Sequence, residues 1–282
     1  MFYIGGPVWG SKAWVGNFFP PQTPASAFLR LYSRQLLTVE GNMTFYARPS
    51  ESLVARWIQE TPSTFRFCPK ISRSISHAPR LDETQAETTL FVERMRGFGD
   101  RLGPMFLQLP PAFSPSHLAR LQVFLDFWPA DLRLAVEVRH PAFYTPQQVE
   151  PLHRMLEQYR AGWVMMDTRP LRTGSTDERN LLEARERKPD LPLQVAVTTD
   201  FVFLRYIGHP EMAINEPFLE EWARQLGRWL NEGKTLYVFC HCPVDEQAPN
   251  LCAELYRRVG ALAPLPPLPW KPPPTVTQPK LL

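Results

Sequence analysis

Eight short β-rich runs alternate with amphipathic segments along this 282-residue chain, and that alternation limits its folds more than any other feature. The runs are Phe2–Gly5, Leu37–Glu40, Phe65–Lys70, Met105–Gln108, Leu132–Val138, Gly162–Asp167, Phe201–Ile207 and Leu236–Cys240. Between them, helical spacing of apolar residues predicts helices over Ala25–Leu36, Glu83–Leu102, Pro115–Phe127, Pro146–Tyr159, Pro217–Leu230 and Gln247–Val259, with shorter pieces at Ser52–Gln59 and Asp177–Lys188. Pro146 and Pro217 are each read as the first residue of a helix, where the missing N–H is no loss. Most strand runs are continuously apolar, the pattern of a parallel sheet covered by helices. Strand, helix and short connection repeated eight times predict a single (β/α)8 TIM-like barrel of class α/β. A doubly wound open sheet is the rival; it would carry a Gly-rich first turn, and no G-x-G-x-x-G occurs.

Two regions break the pattern. Residues 171–192 are highly charged and lengthen the sixth crossover, so they read as a solvated loop with a short helix. From Pro264 the chain carries eight prolines in nineteen residues, which excludes helix and interior strand and predicts an extended or disordered tail. The division expected is a barrel over 1–263 and a tail over 264–282, with a P-x-x-P at Pro264–Pro267. The net charge of +3 does not call for an acidic partner, and no basic run with interleaved aromatics points to nucleic acid. No stretch approaches the roughly 18 apolar residues of a membrane span. Without a signal-peptide pattern at the start, and with four cysteines that make no disulfide framework, a cytoplasmic location is expected.

Barrels of this kind place their chemistry at the C-terminal ends of the strands. Polar residues stand there in almost every run. The period of two turns Glu40 and Asn42, Lys70, and Glu137 and Arg139 inward, opposite Val39, Phe67 and Val136. Asp167 shares its face with Met165 and Trp163, and in the eighth run either Cys240 or His241 faces inward. Gln108, His140, Arg205 and His209 complete the rim, with His77 close by. Trp9, Trp14 and Tyr46 stand near the first two strand ends, where aromatics line pockets but more often pack. Three carboxylates (Glu40, Glu137, Asp167) meet three cations (Lys70, Arg139, Arg205). Buried charges must pair or bind something. The cations oppose a divalent metal and suit a ligand bearing phosphate or carboxylate. The same constellation also reads as a structural ion-pair network. Cys240-His241-Cys242 has soft ligand types, but C-x-C alone is a weak metal signal, and no metal site is assigned.

Together these motifs resemble the YecE-like family, known as domain of unknown function 72. The resemblance runs from about Phe2 to Arg258. It rests on Val39-Glu40-Gly41-Asn42-Met43-Thr44-Phe45-Tyr46, Phe65-Arg66-Phe67-Cys68-Pro69-Lys70, Val136-Glu137-Val138-Arg139-His140-Pro141, Arg205-Tyr206-Ile207-Gly208 and Phe239-Cys240-His241-Cys242-Pro243. The first motif, Gly5-Gly6-Pro7-Val8-Trp9, departs from the family's commoner Gly-Thr-Ser-Gly-Trp. The resemblance implies a TIM-like barrel and supplies no reaction, catalytic residue or cofactor.

The expected function is acid/base chemistry on a small polar or anionic ligand at the barrel mouth, as a hydrolase or an isomerase or lyase. Glu40 and Glu137 are the candidate acid and base, with Asp167 and His241 orienting the ligand or relaying a proton. Asn42, Tyr46, Lys70, Gln108, Arg139, His140, Arg205 and His209 are the candidate binding residues. Two alternatives stand beside it: a non-catalytic metabolite- or nucleotide-binding module in the same pocket, and a metal-dependent phosphodiesterase or isomerase by fold analogy.

Overall fold

The computed structural model describes residues 1–270. Eight parallel strands follow in chain order: β1 Phe2–Gly6, β2 Thr38–Gly41, β3 Arg66–Pro69, β4 Met105–Gln108, β5 Leu134–Glu137, β6 Gly162–Asp167, β7 Phe201–Ile207 and β8 Thr235–His241. Their order across the sheet is β3-β2-β1-β8-β7-β6-β5-β4. The two ends meet through parallel bridges from Phe67 to Leu102 and from Lys70 to Phe106, and the Ile71 N–H donates to the Phe106 carbonyl at 3.0 Å. The sheet therefore closes into a barrel, as the eightfold alternation predicts.

The period of two sorts side chains into two cores. Val39, Phe67, Leu107, Val136, Met165 and Leu204 pack outward under the helices. Cys68, Phe106, Ala135, Val164, Phe203 and Phe239 fill the barrel. The ring of Phe203 lies 5.2 Å from that of Phe106 and 4.9 Å from that of Phe239. One inward position further along the strands, this apolar floor gives way to polar groups. That step from floor to rim positions the site.

Most helices stand where apolar spacing puts them. The Glu51–Glu60 helix opens on Ser50, whose hydroxyl accepts from the Leu53 N–H. Pro146 opens the Pro146–Gln158 helix as expected. The last crossover helix departs from expectation. It runs Met212–Asn231, so Pro217 lies inside it and not at its start. Asn215 accounts for the extra turn. Its fully buried amide donates to the His209 and Glu211 carbonyls at 2.8 Å each and accepts from the His209 N–H at 2.9 Å. It also accepts from the Tyr206 hydroxyl at 3.0 Å, tying the turn to β7. These bonds hold an N-terminal turn that Pro217 cannot support with an N–H of its own.

In the Pro-rich segment, Leu268 and Trp270 are buried, Trp270 packs 5.1 Å from the Phe18 ring, and the Tyr256 hydroxyl donates to the Pro266 carbonyl. The remainder of that segment, from 271 to 282, lies outside the described residues. Among the described residues no helix is long and apolar enough to cross a membrane.

Candidate functional site

Arg205, fifth residue of β7, stands at the centre of the rim. Its Nε and Nη2 donate to the two oxygens of Glu40 at 2.8 and 2.9 Å, and its Nη1 donates to Glu137 at 2.6 Å. The three side chains come from strands far apart in the chain and are almost wholly buried. Glu40 also accepts from the Asn42 amide at 2.8 Å and from His241 Nε2 at 3.1 Å. His241 therefore faces inward and Cys240 outward. A carboxylate acceptor at Nε2 requires that nitrogen to carry the proton. On the other flank, Arg139 donates to Glu137 at 2.7 Å and to Gln108 at 2.8 Å. Gln108 Oε1 accepts in turn from Lys70 Nζ at 3.1 Å. Lys70 lies 4.1 Å above the Phe45 ring, and Arg205 stands 5.5 Å from that of Phe106. Aromatic faces thus stabilise the cations.

The charges set one another. Burial pushes the Glu40 carboxyl up, but Arg205 and the His241 contact outweigh it and hold it well below the carboxylate range. Glu137 behaves alike: burial raises it, while Arg205, Arg139 and Lys70 bring it down to about 2. The unequal pair that acid/base partnership needs is therefore not formed; both carboxylates stay ionised at neutral pH. Burial is the largest influence on His241 and takes it down to about 4, so it is neutral and its bond to Glu40 is not a charged pair. Two lysines of the site are brought down toward neutrality. Burial, then repulsion from Arg205, lowers Lys70 to about 8. Burial followed by Arg205 lowers Lys188 to about 7, with Glu40, Arg139 and Glu137 also acting on it.

Lys188 is the residue the sequence reading misses. It lies on the sixth crossover, in the charged stretch read as solvated. The crossover is laced to itself instead. Arg172 donates to the Arg185 and Lys188 carbonyls at 3.0 and 2.6 Å, and Arg185 donates to the Leu171 and Gly174 carbonyls at 2.9 Å each. The Arg172 bonds cap the C-terminal end of the Arg179–Arg187 helix, the Arg185 bonds tie that helix to the segment before it, and Lys188 comes within reach of the rim charges. The one hint in the sequence is scarcity: the chain has six lysines, against a far larger number of arginines.

The other candidates make contacts of their own. Asp167 does not join the cluster. It shares its outward face with Met165 and Trp163, as the period of two requires, and it accepts from the Trp222 indole at 2.7 Å and from Arg169 at 2.8 Å. It fastens β6 to the 212–231 helix. His209 Nδ1 accepts from the Glu211 N–H and His140 Nδ1 from the Ala142 N–H, so both serve as local caps. Tyr46 is 82% exposed, with its ring 5.2 Å from that of Phe45. Trp9 packs on Trp57 and Phe67, and Trp14 is core. His77 does stand near the lysine side: burial and then Lys70 lower it. Cys240 and Cys252 are buried behind the sheet, away from His241. Among the described residues no group of three or more His, Cys, Asp or Glu is placed to hold a metal. A surface cleft of about 680 Å³ lies at the opposite end of the strands, beside Arg66, Arg96 and Arg133. Arg96 and Arg133 are already paired there with Asp131 and Asp200.

Residues 3–273 match the family model described as a protein of unknown function, DUF72. The chain is 34% identical to the UPF0759 protein YecE of Escherichia coli K12 over 257 residues, covering 91% of this chain and 92% of that one. It is 23% identical to the UPF0759 protein YunF of Bacillus subtilis, covering 84% and 87%. Among solved structures, a DUF72 family protein of Enterococcus faecalis superposes with a TM-score of 0.70 at 18% identity, covering 94% of this chain and 96% of that one. One of Thermotoga maritima gives 0.66 at 22%, covering 91% and 98%. The fold is shared across these structures, and by the family match and the YecE identity the chain belongs to the DUF72 family.

Proposed function

We propose that the barrel mouth binds a small anion bearing phosphate or carboxylate, and that its acid/base chemistry runs through Lys70 and Lys188. The carrying observation is the charge count. Arg205, Arg139, Lys70 and Lys188 face two carboxylates, and no carboxylate lies within 4 Å of Lys70 Nζ among the described residues. Arg205 is saturated by Glu40 and Glu137, so it acts as the frame. Lys70, Lys188 and the Nη1 of Arg139 are left to meet the ligand. Glu137, near 2, is too weak a base to take a proton at neutral pH, whereas a lysine near 7 or 8 both donates and accepts there.

The test is thermal unfolding of the full chain with inorganic phosphate, sulfate and small carboxylates. An anion at one hundred times its Kd adds about 2.7 kcal/mol. That gain should vanish in Lys70→Met. No stabilisation by any anion would overturn the reading. A binding module without turnover differs in one respect: a stabilising ligand is recovered chemically unchanged.

A further inference from the structure

We propose that Lys70 is a nucleophile that condenses with an anionic carbonyl compound, a 2-oxo acid or a phosphorylated aldehyde, to form an imine at the barrel mouth. The inference deepens the anion-binding reading and rests on it. Its geometry is that of an amine kept from a counter-ion. Lys70 extends inward from the end of β3 and is 8% exposed. Its Nζ makes one hydrogen bond, to Gln108 Oε1, so two of its three N–H bonds have no protein acceptor among the described residues. The Phe45 and Phe106 rings flank it, 4.1 and 5.9 Å from Nζ. A lysine meant to hold charge would meet Glu40 or Glu137. Here Arg205 and Arg139 occupy both carboxylates, and the lysine is left among cations.

Three consequences follow for chemistry. Desolvation and neighbouring cations favour the free amine, which is the reactive form of lysine. At pH 7.5 a group titrating near 8 is about one quarter neutral, against roughly one part in a thousand for an ordinary lysine. Arg139, which stays charged, provides the positive field that would hold the carboxylate or phosphate of the same molecule, and Lys188 adds to it when protonated. In the step itself, the neutral Nζ forms a bond to the carbonyl carbon as the C–O bond breaks. The carbonyl oxygen leaves as water, taking one proton from Nζ and one from the medium, and a cationic iminium remains. The carboxylate or phosphate of the same molecule balances that cation.

The experiment is reductive trapping on the full chain. Pyruvate or glyceraldehyde 3-phosphate is added with cyanoborohydride, whose hydride reduces the iminium to a stable secondary amine, and the product is mapped by peptide mass spectrometry. One adduct per chain on Lys70 is expected, at least tenfold above Lys12 and Lys234, and suppressed by excess inorganic phosphate. Adducts spread evenly over the lysines, or concentrated on Lys188, would overturn the assignment. Thermal stabilisation by anions with no adduct on Lys70 would end the imine proposal and leave the anion site standing. Absence of both the stabilisation and the phosphate-sensitive adduct would end the two together.

Discussion

Removing Arg205 should invert how the protein responds to acid. The guanidinium makes three charge-assisted hydrogen bonds to two buried carboxylates. In Arg205→Met, Glu40 keeps the Asn42 amide and neutral His241, and Glu137 keeps Arg139. Breaking a buried pair from one side costs about 3–5 kcal/mol, because the partner charge is left in a low-dielectric interior. That is a large share of a typical stability of roughly 5–15 kcal/mol. The pH dependence is the sharper readout. In the parent, burial opposes and Arg205 drives the fall of Glu137 from 4.5 to about 2. Its contribution is present above pH 4.5 and is lost as pH falls toward 2, an amount of about 3 kcal/mol. Glu40 is lowered too and acts in the same direction. In the variant, burial acts on Glu40 with its main counter-charge gone, so its carboxyl rises above the unfolded value. The folded state then takes up protons more readily than the unfolded chain, and stability increases as pH falls from 7 to 5. Urea unfolding followed by circular dichroism at intervals from pH 3 to pH 7 measures both effects. A variant within 1 kcal/mol of the parent at pH 7, or one that loses stability with acid in parallel with it, would refute the reasoning.

Asp167→Ala should leave anion stabilisation unchanged while costing about 2 kcal/mol, since it strands the buried Trp222 indole N–H; urea midpoints and phosphate titrations read the two separately. Trp270→Ala should cost about 2–3 kcal/mol in the same unfolding assay, because the indole packs on Phe18 and is buried, and a negligible change would mean the segment does not dock. Arg172→Ala should weaken phosphate stabilisation with little effect on global stability, because it frees the Lys188 carbonyl and loosens the crossover, and protease cleavage near 172–188 should accelerate.

The barrel was legible because its signals are local and repeated. Apolar runs of four to seven residues and the helix opened by Pro146 report on themselves, and strand parity then assigned Glu40, Lys70 and Glu137 to the interior. The same parity carried the answer for Asp167. Sharing a face with Met165 and Trp163 placed it against the helices, and counting it with the rim carboxylates overrode the geometry. His209 and His140 were beyond reach for another reason. A cap is defined by which N–H lies next to the ring nitrogen, and backbone turns do not show in residue type. Lys188 is harder still. Its position depends on arginine-to-carbonyl bonds within one crossover, and a charged stretch reads alike whether its charges face water or the rim.

Lys70 is where a purely structural account of the rim can be tested. An ion-pair network built for stability would balance two carboxylates with two arginines and stop. Buried polar clusters of that kind are often no more stable than apolar replacements. Lys70 makes matters worse. Its folded value near 8 lies below the unfolded value of 10.5, so at any pH below 8 the folded state carries the full penalty of holding that ammonium, about 3 kcal/mol. The penalty is relieved only as pH rises from 8 to 10.5. Lys70→Met should therefore stabilise the ligand-free protein by about 1–3 kcal/mol at pH 7, with the gain shrinking above pH 8, and should abolish anion binding. Residues that reduce stability and are needed for binding belong to a site shaped by its ligand. If Lys70→Met is instead destabilised at pH 7, the lysine is part of the scaffold, and the excess of positive charge at the mouth serves the fold alone.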